Sequence, residues 1–393
     1  MKIFNCQNCQ QVLYFENTHC ERCGHAVGYA EDRETILTLK PTDKGLWRPV
    51  LPNLADQLYR SCGNAAQKVC NWIVPAQKPD ALCSACQLNQ VIPDLSVPEN
   101  VLRWSRLELA KHHLVYSLRR LQLPIVSKVA DPKSGLAFSF VADTGVVDPC
   151  ASAPASTTGH CEGLITINLG EADDTERERR RTSLGEPYRT LLGHFRHEVG
   201  HYYWERLLED GGKQLDECRR VFGDDRQSYS ESLAKHYAAG PTANWQHHFV
   251  SSYASAHPFE DFAETWAHYL HIVDTLDTAH AFGLAVRPDG VQDTNLAMIA
   301  DFDPYAERNF ARLMKPWLPL TLAVNSLNRS MGQPDLYPFV LGPTVNTKLD
   351  FVHRLIHARQ GVSERAAIVP DKGGKSWTRW LRRSPASGAE ASH

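Results

Sequence analysis

The 393-residue chain carries 45 acidic against 42 basic residues, with 42% hydrophobic residues, an ordinary globular composition long enough for two or three domains. Its net charge of -3 gives no whole-molecule field to attract nucleic acid or anionic lipid, so neither is expected as a partner. No apolar stretch is long enough to span a membrane, and the opening Met1-Lys2-Ile3-Phe4 lacks the apolar run of a secretory signal; both point to the cytoplasm, where thiols stay reduced.

The cysteines are unevenly spread. Only Cys150, Cys161 and Cys218 of the 11 lie beyond residue 90, and such clustering indicates metal rather than a disulfide scaffold. Cys6/Cys9 and Cys20/Cys23 form two Cys-x-x-Cys pairs around Val12, Leu13, Tyr14 and Phe15, read as a strand between two knuckles. Gly24 follows the second pair, where a knuckle needs a residue tolerant of positive φ. Four thiolates so spaced close a tetrahedron around Zn²⁺, whose binding supplies folding energy to a segment too small to fold alone. Cys62, Cys70, Cys83 and Cys86 are a second, less regular set for a further structural zinc, with buried thiols as the alternative. Pro93 and Pro98 then mark a boundary, giving a zinc-ribbon region over 1–98.

From Val101 the texture changes. Leu102, Leu107, Leu109, Leu114, Leu118 and Leu121 predict an amphipathic helix. Residues 136–141 and 164–168 read as strands, with a Ser/Ala/Pro/Gly-rich loop over 149–160 between them. The mixed charge run 171–181 reads as a solvated face or loop. Gly185-Glu186-Pro187 resembles a helix start, and the pattern beyond it is mainly helical to about residue 361. Residues 362–393 are expected to form a tail, in which 377–383 is a short basic-aromatic helix. The fold class is therefore α+β: a zinc-ribbon module, then a mainly helical domain over 99–361 with a small sheet.

The chemistry concentrates at His197-Glu198-Val199-Gly200-His201. Leu191, Leu192, Phe195, Val199 and Tyr202 keep helical spacing, so His197 and His201 share one face and reach one metal. Glu198 between them can take a proton from an activated water. In random order this composition yields roughly 0.04 such matches, so the motif needs context. His194, one turn earlier, competes as a ligand but brackets no glutamate and is better read as a packing or hydrogen-bonding residue.

A catalytic zinc needs a third protein ligand and an open position. Pro258 opens a second predicted helix on which Glu260, Glu264 and His268 share a face, an arrangement costly to bury without a cation or hydrogen-bond partners. Glu260 is assigned as the third ligand, and Glu264 as the carboxylate that holds a ligating histidine. Tyr253 is the preferred oxyanion donor, with Tyr229 and Tyr237 in competition.

Cys6 through His25, Leu82-Cys83-Ser84-Ala85-Cys86, Thr158-Gly159-His160, Ile165-Thr166-Ile167-Asn168, Gly193 through Trp204 and Ala263 through Asp274 together resemble a bacterial family of zinc-binding metallopeptidases with an N-terminal zinc-ribbon. The likeness spans about residues 1–345 and implies a zincin-type domain. Tyr253 followed by Phe259-Glu260-Asp261-Phe262-Ala263-Glu264 resembles gluzincin proteases of the anthrax lethal factor type. That likeness implies Glu260 as zinc ligand, Glu264 as its supporting carboxylate and Tyr253 as transition-state donor. Asp261 stands where that pattern has an aromatic residue, which leaves it and Glu264 as competitors of Glu260. In such folds a sheet edge holds an extended peptide by strand addition, and the 164–168 strand is the candidate.

These features predict a zinc metallopeptidase with one catalytic and one or two structural zinc ions, acting on a peptide or protein substrate. The ribbon offers a surface for a protein partner. Two other readings remain: a non-catalytic adaptor whose ribbon binds protein or nucleic acid, and a hydrolase of non-peptide amides.

Overall fold

The computed structural model describes residues 2–142, 159–184, 186, 188–208, 211–289 and 294–366. At the N-terminal side, β1 (Phe4–Asn5) and β2 (Val12–Leu13) form a short antiparallel pair. Each cysteine knuckle closes by the same two backbone bonds: Gln10 and Gly24 donate to the carbonyls of Cys6 and Cys20, and Cys6 and Cys20 donate to the carbonyls of Gln11 and His25, all at 2.8 Å. Both knuckles turn through a left-handed residue, Gln10 at φ 61° and Gly24 at φ 72°.

Between Cys23 and Cys83 lies a closed five-stranded barrel that the sequence analysis did not predict. It comprises β3 (Ala26–Ala30), β4 (Thr35–Pro41), β5 (Trp47–Pro49), β6 (Tyr59–Ser61) and β7 (Trp72–Pro75), and it closes by a parallel β3–β7 pairing. Leu37, Leu39, Tyr59 and Ile73 fill it. The strands escaped notice because β4 buries both faces: Leu37 and Leu39 point inward, while Thr38 on the other face donates from its hydroxyl to the sulfur of Cys6 at 3.5 Å. No alternation of polar and apolar residues is left to read.

A four-stranded sheet follows, built from β8 (Asn89–Val91), β9 (Ala137–Val141), β10 (Gly159–Cys161) and β11 (Leu164–Asn168) in the order β10-β11-β9-β8. β9 runs parallel to both β8 and β11, and β10 runs antiparallel to β11. The sheet thus draws one strand from the cysteine-rich region. Strand 164–168, expected at the edge, is interior; β10 is the outer strand on that side. Of the loop expected over 149–160, residues 149–158 lie outside the described residues, and Gly159 and His160 belong to β10. Cys161 is disulfide-bonded, a departure from thiols reduced throughout.

Helix α1 (Pro98–Arg120) starts with its proline in the first turn and buries Trp104, Leu107, Leu114 and Leu118; Leu102 and Leu109, expected on the same apolar stripe, are exposed. The charge run contains a helix, α2 (Asp174–Leu184). Glu171 before it is buried, accepting from Arg180 at 2.7 Å and Arg189 at 2.9 Å, so the solvated reading fails there. Two long helices form the centre: α3 (Leu191–Leu208) and α6 (Pro258–Ala281). The start of α3 lies at Leu191 rather than at 185–187, where Gly185 and Pro187 fall outside the described residues.

Helices α4 (Lys213–Phe222) and α5 (Tyr229–Ala239) link the two, and α7 (Phe310–Met314), α8 (Trp317–Ser330) and α9 (Pro343–Ala366) complete the packing. A small antiparallel pair, β12 (Ala285–Val286) with β13 (Met298–Ile299), lies between α6 and α7. The first residues of the expected tail continue α9, and 367–393 lie outside the described residues, including the basic-aromatic segment. No helix among the described residues is long and apolar enough to cross a membrane.

Gly200 sets how closely α3 and α6 cross. A Cβ there would stand 2.9 Å from the Cα of Ala263 and 3.2 Å from the Cβ of Trp266. The two helix backbones therefore meet where a side chain has no room.

Candidate metal centre and active site

The α3–α6 crossing brings His197, Glu198 and His201 against the first turn of α6. The Nε2 atoms of His197 and His201 lie 3.1 Å apart. Glu260 Oε2 is 3.0 Å from the first and 3.5 Å from the second. A tetrahedral zinc with ligands at about 2.0–2.1 Å has ligand–ligand edges of about 3.3 Å, so the three atoms match one face of such a tetrahedron. Glu260 Oε2 is buried without a hydrogen-bond partner, a costly state for a carboxylate oxygen unless a cation faces it. The donor set fits zinc.

Each donor is held by its neighbours. His257 caps α6 by accepting the Phe259 backbone N–H at its Nδ1 (3.1 Å), and Pro258 occupies the first turn, which fixes where Glu260 emerges. Tyr229 at the start of α5 donates its hydroxyl to Glu260 Oε1 at 2.6 Å. His197 Nδ1 donates to Glu264 Oε1 at 2.7 Å, which leaves Nε2 as the lone-pair nitrogen; Ser251 donates to the other oxygen of Glu264 at 2.6 Å. Burial pushes the Glu264 carboxyl up, but the hydrogen bond from His197 outweighs it and holds it at about 2. Glu260 is likewise drawn well below the carboxylate range by the two histidines, against its burial.

His201 is supported differently. Its Nδ1 is buried without a hydrogen-bond partner. Its ring is instead flanked by Phe259, at 4.1 Å between centroids and 30° between planes, and by His160 of β10, at 6.2 Å and 27°. The backbone N–H of Gly163 donates to His160 Nε2 at 3.0 Å and locks that ring. Burial, with His201 beside it, pushes His160 down to about 3, so it is neutral. The sequence reading quoted Thr158-Gly159-His160 without giving the histidine a role. Phe259 and Ser251 were missed too, since a single aromatic or serine beside a motif carries no spacing signal.

Glu198 is buried on the same face of α3, and burial raises its carboxyl above the usual range. Tyr253 sits in a short turn before α6 with its ring 6.0 Å from that of His197. Burial, then the nearby Glu260, holds its hydroxyl well above its ordinary pKa, hence protonated. Tyr237 is exposed and shares a hydrogen bond with Tyr253.

Other residues weighed for the centre point elsewhere. Asp261 turns to Lys348, accepting from it at 2.6 Å with both side chains buried, and is not among the donors gathered with Glu260. His268 stands one turn beyond Glu264 on the same face of α6, with its Nδ1 paired to the Tyr337 hydroxyl at 2.7 Å. His194 lies 3.8 Å from Glu171.

The cysteines gather as two sets. Sulfurs of Cys6 and Cys23 are 3.6 Å apart and those of Cys9 and Cys20 are 3.5 Å apart. In each set, the second being Cys62, Cys70, Cys83 and Cys86, all four sulfurs lie within 4.8 Å of one another. A tetrahedral Zn–S site has edges of about 3.8 Å, so both sets fit.

Comparison with known proteins agrees with this geometry. Residues 100–355 match the family model described as "Putative zinc-binding metallo-peptidase", and residues 3–97 match a zinc-ribbon domain. Uncharacterized proteins of Mycobacterium tuberculosis and Mycobacterium bovis are similar to the chain at 41% identity over 358 residues, covering 91% of this chain and 95% of theirs. No solved structure matches. The chain belongs to this zinc-binding metallopeptidase family, with a zinc-ribbon domain preceding the metallopeptidase domain.

Proposed function

We propose that this protein hydrolyses peptide bonds at a gluzincin-type zinc centre formed by His197, His201 and Glu260. The observation that carries the reading is the donor triangle with Glu198 buried beside it. His197, His201 and Glu260 would hold a zinc ion, whose Lewis acidity would polarise a carbonyl and acidify a water. Glu198 needs no role in holding a metal. Its raised pKa suits a base that takes a proton near neutral pH and returns it to a leaving amine. Tyr253, protonated and next to His197, is the donor to the developing oxyanion. Tyr229, committed to Glu260 Oε1, orients the ligand instead. The edge of β10, which carries His160 against His201, is where an extended peptide main chain can add as a strand. Cysteine sets that are not joined by disulfides suit a reducing compartment such as the cytoplasm, while the disulfide at Cys161 points the other way.

Glu198→Gln tests the proposal. It should retain zinc and lose activity on a peptide library by at least about 10²-fold, the scale of general-base catalysis. Zinc-loaded wild type that cleaves no peptide but does hydrolyse small amides would move the assignment to a non-peptide amidase. An unimpaired biological role in the Gln variant would favour the adaptor.

A further inference from the structure

The second cysteine set is not confined to the cysteine-rich region. His112, on α1 of the metallopeptidase domain, turns its ring into it: Nε2 is 3.2 Å from Cys70 Sγ, 3.8 Å from Cys86 Sγ and 4.0 Å from Cys83 Sγ. The ring is aimed from both sides. Nδ1 donates to the Glu108 carbonyl at 2.6 Å, and the Trp72 ring of the barrel covers it at 5.2 Å.

The charged groups around it are paired. The Glu108 carboxylate accepts from Lys111 at 2.8 Å, Trp104 Nε1 at 3.0 Å and Asn89 Nδ2 at 2.7 Å, and Lys111 also donates to Asn89 Oδ1. Glu108, Lys111 and His112 are all buried. Such an assembly is expensive to hold away from water unless each charge has a partner. The Nδ1 side of His112 faces Glu108, its carbonyl at 2.6 Å and its carboxylate at 3.7 Å, and the Nε2 side meets only the thiol sulfurs.

We propose that Cys62, Cys70, Cys83 and Cys86 bind zinc as a joint centre completed by His112, whose Nε2 hydrogen-bonds to the Cys70 sulfur from the other domain. Metal there ties three things together: the barrel through Cys62 and Cys70, the strand β8 that follows Cys83 and Cys86, and α1, which packs on α3. The four sulfurs close the tetrahedron, with Cys70 and Cys83 at 3.8 Å, so the histidine supports the thiolates rather than replacing one. A partner of this kind slows metal loss, and removing it commonly costs 10–100-fold in affinity. The first set has no histidine partner among the described contacts: its sulfurs meet each other, the Thr38 hydroxyl and backbone N–H groups.

The test uses the full chain and follows metal, not peptide cleavage, so its outcome does not depend on the peptidase proposal. Zinc release to a colorimetric chelator should show two slow thiolate phases in wild type. His112→Ala should speed one of them by about tenfold or more and leave the other unchanged. In the cobalt(II)-substituted protein the same variant should alter the sulfur-to-cobalt charge-transfer band of one centre while its tetrahedral signature persists. Two unchanged slow phases with an unchanged spectrum would overturn the proposal. So would wild type whose cobalt spectrum accounts for four sulfur ligands rather than eight. Where His112→Ala does not fold, hydrogen exchange on wild type decides. Stripping zinc should deprotect β8 and the turn of α1 around His112, and unchanged protection there would refute the joint.

Discussion

Glu264 offers the sharpest quantitative test of the centre. One of its oxygens accepts from His197 Nδ1 at 2.7 Å and the other from Ser251 at 2.6 Å. A hydrogen bond to a charged group contributes about 1.5–3 kcal/mol, which corresponds to about 10–100-fold in zinc affinity and agrees with the usual cost of losing a carboxylate behind a ligating histidine. Glu264→Ala removes the acceptor and leaves His197 free to turn its proton-bearing nitrogen toward the metal. It should reach the upper end of that range. Glu264→Gln can still accept from His197 through its carbonyl oxygen, while its amide donates to a Ser251 hydroxyl that rotates to accept. It should weaken zinc only by about tenfold. Competition against a chromogenic chelator measures both. Saturating zinc should then recover most of the turnover in the Gln variant, because its donor geometry survives. Zinc affinity of Glu264→Ala within threefold of wild type would refute the assignment of the His197–Glu264 pair.

Two further substitutions test how the helices and rings hold the donors. Gly200→Ala pushes a methyl to 2.9 Å from the Ala263 backbone; overpacking of about 1–3 kcal/mol outweighs a helix-propensity gain of at most about 1 kcal/mol, and thermal unfolding should show the net loss. His160→Ala should weaken zinc binding by up to about tenfold by loosening His201, whereas His160→Phe, which keeps a ring beside it, should restore most of the affinity. Equal affinities in the Ala and Phe variants would show that the ring contact does not position His201.

The gathering of His197, His201 and Glu260 was readable because these residues obey local rules. His197 and His201 are one helical turn apart, and Glu260 and Glu264 repeat that spacing on a helix announced by Pro258. Asp261, adjacent in sequence, could be separated from them only by seeing Lys348, 87 positions away. Strand 164–168 was readable as a strand, but its interior place depends on which segments flank it, and that is a tertiary fact. The barrel was hidden for the same reason, since β4 packs on both faces. Glu171 looked solvated because seven charges crowd residues 173–180; its burial comes from two arginines that fold back onto it.

The same pattern explains how the donor triangle is kept in place. On α3, Arg196, the residue before His197, meets a buried charge network. Arg196 pairs with Asp274 of α6 and lies 2.6 Å from His271 Nδ1; Asp274 also accepts from Ser117 of α1 at 2.9 Å and from Tyr305. Burial lowers Arg196 to about 10, yet it stays charged at neutral pH. Three helices are therefore locked around one carboxylate, one residue away from His197. Breaking such a buried pair costs about 3–5 kcal/mol, so the helices should hold their crossing without help from a metal. Mild chelation that removes only the zinc of the three-ligand centre should leave the far-ultraviolet circular dichroism unchanged and lower the melting temperature only by the lost binding energy. Exhaustive chelation reaches the thiolate sets, whose folding is coupled to metal, and should abolish cooperative unfolding of the cysteine-rich region. Loss of helix on mild chelation would mean that the metal, rather than the Arg196–Asp274 network, sets the crossing of α3 and α6.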